Sequence, residues 1–159
     1  MTNTQGKDGL RTSHVAFLRC NLEVSHHLLE QNAHSRKAGM DIAAATRFGF
    51  LDLLQRFEAK GDDIIVTADK CEISLHVACE SGQAATLQYL CEHGTLLDLQ
   101  DNSGNTAMHM AVSNSHLDVT GVLLEKGTNL CAANASDSTA PHTAVKSGYL
   151  NIVHYLTEF

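Results

Sequence analysis

The sequence predicts an all-α solenoid of about five helix–turn–helix units, stacked in a row with tight turns at their junctions. Three observations predict it. Histidines recur 33 residues apart, at His76, His109 and His142. Small and turn-forming residues recur with them at fixed offsets. The composition, 43% apolar but only 5% aromatic and without Trp, supplies an aliphatic, alanine-rich core that suits closely packed helices.

The register runs the length of the chain. Two residues after each histidine stands an alanine: Ala78, Ala111 and Ala144. Six residues after come Gly82, Ser115 and Gly148, and eighteen after come Gly94 and Gly127. One period earlier Ala43 takes the histidine's place, and the frame continues with Ala45, Gly49 and Gly61. A fainter copy precedes it in His14, Ala16, Cys20, Leu28 and Asn32, with a step of 29 from His14 to Ala43.

Each unit reads as turn, short helix, tight loop, longer helix, turn. The stretch from Asp101 to Ala111 opens on turn formers, Asp101 and Gly104. Thr106 and Thr139 then stand where a helix N-cap is needed, since a hydroxyl can satisfy a free backbone N–H. Gly82 and Gly148 suit a helix C-terminus, where a left-handed residue is favoured. A second helix follows with apolar spacing (Leu117, Val119, Val122, Leu123, Leu124) and closes at Gly127. One unit cannot bury its own apolar face, so neighbours must stack. The expected segments form a single domain, 1–159, divided at approximately 1–34 (degenerate), 35–67, 68–100, 101–133 and 134–159 (incomplete).

With these residues in place the chain resembles the ankyrin-repeat family. Its motif, D-x-x-G-x-T-P-L-H-x-A followed by G-H-x-x-h-V-x-x-L-L-x-x-G-A with h apolar, is matched most fully from Asp101 to Ala111 and from Ser115 to Gly127. The resemblance implies a β-hairpin finger at each junction, inner helices lining a concave groove, and binding of other proteins. The family's proline before Leu-His is Ser74, Ala107 and Ala140 here, and the only proline, Pro141, sits one place late, in a first helical turn where its missing N–H costs little. Each lost proline leaves the unfolded chain more freedom, ~0.4–1 kcal/mol per site, so a marginally stable array is expected. The last unit reaches Phe159 before a closing glycine, which favours a piece of a longer protein.

Charge narrows the partner. Eleven Lys and Arg against 18 Asp and Glu give −7. Residues 1–60 carry a net +2 and residues 61–159 a net −9. The acidic part is repelled by nucleic-acid phosphates and anionic membranes, so neither is an expected partner. No run of 18 apolar residues and no secretory h-region is present. Cys20, Cys71, Cys79, Cys91 and Cys131 form no C-x-x-C pair and read as reduced cytoplasmic or nuclear thiols, with a redox role at Cys71 or Cys131 the sharper alternative.

Catalytic signatures are missing: there is no G-x-S-x-G, H-E-x-x-H, P-loop or G-x-G-x-x-G. Ten histidines invite a metal reading. Helices of successive repeats pack about 8–10 Å apart while zinc needs ligands within ~2.0–2.3 Å, so His76, His109 and His142 cannot share one ion. Each is expected instead to bridge backbone groups between repeats. No enzyme activity, cofactor or metal site is expected.

The resemblance implies contacts from finger tips and exposed inner-helix positions. Carried over by offset, these are Arg36, Lys37, Asp69, Lys70, Glu72, Asn102, Ser103, Asn105 and Ser138 on the fingers. On the inner helices they are Arg47, Phe48, Glu80, Ser81, Ser113, Asn114, Lys146 and Ser147. The set runs from basic through acidic to neutral. Phe48 stands out as an anchor of a size that carries binding energy, or as packing against the first unit. The expected function is a non-catalytic interaction module (scaffold, adaptor or inhibitor), monomeric alone, binding another protein through groove and fingers. The alternative is a targeting or substrate-recruiting domain of a larger enzyme, channel or ubiquitin-ligase adaptor.

Overall fold

Short helices closed by glycine are what the repeat dictates, and the computed structural model, which describes residues 38–62, 64 and 74–158, is built from them. Among the described residues lie eight helices: α1 (Ala38–Arg47), α2 (Leu51–Ala59), α3 (Ser74–Glu80), α4 (Ala84–Glu92), α5 (Ala107–Ser113), α6 (Leu117–Glu125), α7 (Ala140–Ser147) and α8 (Leu150–Thr157). No strand occurs among them; a single antiparallel bridge joins Ala133 to Thr139. The degenerate unit expected over 1–34 falls outside the described residues.

One device closes each inner helix. Gly49, Gly82 and Gly148 take φ of 69°, 72° and 73°. That left-handed turn lets the very next amide reach back to the repeat's alanine carbonyl: Phe50 to Ala45 (2.9 Å), Gln83 to Ala78 (2.9 Å), His116 to Ala111 (3.0 Å) and Tyr149 to Ala144 (3.1 Å). Ser115 does the same work at φ 59° without being glycine. Pro141 sits in the first turn of α7, as its missing N–H allows.

The alanines also set the packing. Ala45, Ala78, Ala111 and Ala144 are fully buried, and their small side chains let α1, α3, α5 and α7 stack face to face. The outer helices α4, α6 and α8 stack behind them. Between the two rows runs one continuous core in which equivalent positions form layers: Ile42, Leu75 and Met108; Leu53, Val119 and Ile152; Phe57, Leu90, Leu123 and Leu156. Each buried Leu or Ile contributes about 1.5–3 kcal/mol, and the stack rather than any single hairpin supplies it. Among the described residues no helix is long and apolar enough to cross a membrane.

Candidate partner-binding site

Two sets of hydrogen bonds between repeats position the expected binding face. The first belongs to the registered histidines. Thr106 precedes α5, and its amide and hydroxyl both reach His109 Nδ1 (3.2 and 2.9 Å). The ring proton is thereby left on Nε2, which donates to the Ser138 carbonyl of the next turn (2.9 Å). His76 donates in the same way to the Asn105 carbonyl (3.1 Å). Both rings are buried, so they tie one repeat's inner helix to the following finger, as the spacing predicts. His142 keeps the local half, with Thr139 amide and hydroxyl at 3.3 and 2.9 Å from Nδ1, but is exposed. His76 lacks that local half. Its buried Nδ1 has no partner among the described residues, and the register position of Thr106 and Thr139 is taken by Ile73, which has no hydroxyl.

The second set was not visible in the sequence. Gln83, His116 and Tyr149, each seven residues after the repeat anchor, reach back 36 residues to the carbonyls that end the preceding inner helix. Gln83 Nε2 donates to Arg47 O (3.2 Å), His116 Nε2 to Glu80 O (3.0 Å) and Tyr149 Oη to Ser113 O (3.4 Å). Recurrence of a hydrogen-bonding side chain at one offset was the available signal, and the three different identities hid it. These bonds satisfy helix-end carbonyls and fix the backbone at the residues expected to face a partner.

On that face Arg47, Glu80, Ser113 and Lys146 form a row of exposed inner-helix ends. Arg47 Nη2 lies 3.1 Å from Glu80 Oε2, so the basic and acidic positions neutralise each other. Both side chains remain nearly half exposed, 47% and 43%, and such a surface pair contributes only about 0–1 kcal/mol. A partner can open it at small cost. Asn114 is exposed and caps α5 by donating from Nδ2 to Met110 O (2.9 Å), whereas Ser81 is half-buried. Phe48 is half-buried too, packed against the core with its ring centroid 6.0 Å from that of Phe50. Lys146 forms no ion pair among the described residues.

The described finger turns are rigid by construction. Asp101 Oδ1 accepts the amides of Ser103 and Asn105 (both 2.8 Å), and Asn134 Oδ1 accepts those of Ser136 and Ser138 (3.0 and 3.1 Å). Neighbouring turns are bonded by Ala135 N to Ser103 O (3.0 Å) and by Asn134 Nδ2 to Asn105 Oδ1 (2.9 Å). Gly104 is required there: its φ is 73°, and a Cβ would lie 2.6 Å from the Ala135 amide nitrogen. Asn102 and Ser103 are exposed at the tip, while Asn105 is half-buried in these bonds. Arg36, Lys37, Asp69, Lys70 and Glu72 lie outside the described residues.

Away from this face, the chemistry is that of packing. Cys79 is buried and its thiol is pushed up by burial and then by nearby Cys91, itself raised by burial. Cys131 is exposed in a connector. Tyr89 on α4 donates to Glu58 Oε2 at the end of α2, and His93 Nε2 lies 2.9 Å from Glu58 Oε1. Loss of solvent, then the Glu58 hydrogen bond and charge, push the Tyr89 phenol up to about 12. Among the described residues no group of three His, Cys, Asp or Glu side chains could hold a metal ion.

Comparison with curated proteins found no match. A family model described as ankyrin repeats, in three copies, matches residues 40–134 and 75–159. The matched span covers the described helix pairs, their glycine-closed loops and the histidine register. The chain belongs to the ankyrin-repeat family.

Proposed function

We propose that this chain is a non-catalytic protein–protein interaction module, a scaffold, adaptor or inhibitor, that holds a segment of a partner protein along the inner-helix ends and finger tips. Ankyrin repeats in general mediate protein–protein interaction. The observation that carries the reading is the division of labour at those ends. The carbonyls of Arg47, Glu80 and Ser113 are tied down by Gln83, His116 and Tyr149, while the side chains of Arg47, Glu80, Ser113 and Lys146 stay exposed, Arg47 and Glu80 joined only by their surface pair. A surface whose backbone is already fixed pays little further backbone ordering on binding. The free thiols Cys79, Cys91 and Cys131 suit a reducing compartment, the cytoplasm or nucleus.

The test is affinity capture from native lysate at low and moderate salt, with Arg47→Glu, Glu80→Arg and the double exchange as baits. Each single reversal places like charges together, and the double exchange restores the pair with its polarity inverted. A partner lost with all three baits reads the polarity of the face. A partner recovered by the double exchange needs only the pair's structural role, and unchanged capture by all three removes this face from the function.

A further inference from the structure

The outer helices present a second surface, on the opposite side of each hairpin from the inner-helix ends. Along α6, Asp118, Gly121, Val122 and Glu125 follow one another at helical spacing and form a single stripe. At the same register α4 carries Gln88 and Tyr89, and α8 carries His154 and Tyr155. The smaller pair, Gly121 and Val122, lies between these bulkier flanks and leaves an open hollow of about 350 Å³. Ala84 of α4 and Leu117, 37% exposed, add to its apolar lining, and Tyr155 closes the α8 side. The Tyr155 hydroxyl passes so near α6 that a Cβ at Gly121 would lie 3.0 Å from it.

Gly121 is the informative residue. A glycine inside a helix weakens it relative to alanine, and neighbouring repeats place side chains at this position. Here its absence of side chain keeps the hollow open. The charge around the hollow has one sign: Asp118 and Glu125 are exposed at its two ends, and no basic residue lines it. Neither carboxylate has an ion-pair partner among the described residues. The two are seven residues apart, so they lie about 10 Å apart along the α6 axis.

We propose that this hollow docks a basic amphipathic helix of a partner protein. The spacing defines the ligand. A helix lying along α6 with Lys or Arg at positions i and i+7 brings a cation to each carboxylate. Leucines at i+3 and i+4 then meet Gly121 and Val122, in the helix-in-groove mode of recognition. Phosphate-bearing ligands are disfavoured by the same carboxylates. This surface is separate from the inner-helix face, so its failure and the failure of the function proposed above are distinguishable.

The experiment is fluorescence anisotropy on the full chain with a labelled helical peptide carrying Lys at i and i+7 and Leu at i+3 and i+4. Counterparts carry Glu at the Lys positions, or Ala at the Leu positions. The Lys/Leu peptide is expected to bind saturably, and both counterparts about tenfold or more weaker. Gly121→Leu, which fills the hollow, and the pair Asp118→Asn with Glu125→Gln are each expected to weaken it by about tenfold. Arg47→Glu is expected to leave it unchanged, as is Asp52→Asn combined with Asp137→Asn, which removes the same charge elsewhere. Equal loss from the Asp52/Asp137 control would reduce the binding to net charge and overturn the proposal. Full binding by the Gly121→Leu protein, or by the Ala counterpart, would overturn it as well; should Gly121→Leu fail to fold, the carboxylate pair decides.

Discussion

Ser115→Gly should stabilise this protein, although it removes atoms and adds none. Ser115 holds φ 59° at the loop between α5 and α6, where the equivalent residues are Gly49, Gly82 and Gly148 at 69°, 72° and 73°. An L-residue in the left-handed region costs roughly 1–2 kcal/mol, because its Cβ crowds the following carbonyl. Glycine removes that strain but gives the unfolded chain more freedom, a loss of ~0.4–1 kcal/mol. The Ser115 hydroxyl makes no hydrogen bond among the described residues that would be forfeited. The net expectation is a gain of about 1 kcal/mol. In a chain of this size that raises Tm by roughly 2–4 °C. With a urea m-value of ~2 kcal/mol/M, the midpoint moves up by about 0.5 M at unchanged slope. The assay is a urea titration followed by far-UV circular dichroism, with Gly82→Ala measured alongside. Gly82→Ala should lose about 1–2 kcal/mol or more, since φ is 72° and the new Cβ would meet His116 Nδ1 at 2.7 Å. Destabilisation by Ser115→Gly, at unchanged m, would refute the reasoning and show that the serine side chain stabilises the native loop.

Four further outcomes are expected. Ile73→Thr restores the hydroxyl that the register supplies to His109 and His142 and offers a partner to the orphaned Nδ1 of buried His76; thermal melts should show a gain of about 1 kcal/mol. Thr106→Ala removes the hydroxyl 2.9 Å from His109 Nδ1 and should lose about 1–2 kcal/mol in the same melts. Because the Tyr89 phenol is pushed up to about 12, its neutral form is favoured in the folded state. That contribution is present below the unfolded value of about 10 and is lost as pH rises from about 10 to about 12; in ultraviolet titration, Glu58→Gln should bring the Tyr89 step down. Thiol labelling under native conditions should modify exposed Cys131 fast and buried Cys79 only with unfolding, and Cys79 labelled as fast as Cys131 would contradict the packing of α3.

Much of this architecture was legible because a repeat states each instruction several times. The anchor histidines, the alanine two residues on and the glycine six residues on each follow from one physical need, and three or four copies separate need from accident. Thr106 was readable for the same reason, since Thr139 repeats it, and Pro141 from its place in that register. What escaped was information carried by position rather than identity. Gln83, His116 and Tyr149 perform one task with three chemistries, so a comparison of residue types does not align them. The Arg47–Glu80 pair is hidden in a run from basic to acidic positions, because contact across 33 residues depends on how closely the helices stack. Phe48 turned on packing that only the loop geometry decides, and it lies against Phe50 and the core. The hollow beside Gly121 is a difference in side-chain volume between neighbouring repeats, which becomes a feature only once they are stacked.

The central claim, that partners are held by the inner-helix ends, is tested most directly by placing a photo-crosslinking residue at exposed Ser113 and Lys146, and in parallel at exposed Gln55 on the outer helix α2. Irradiated in native lysate, the Ser113 and Lys146 proteins should capture the same partner, and the Gln55 protein should not. A partner captured from Gln55 and from neither inner-helix position would contradict the account.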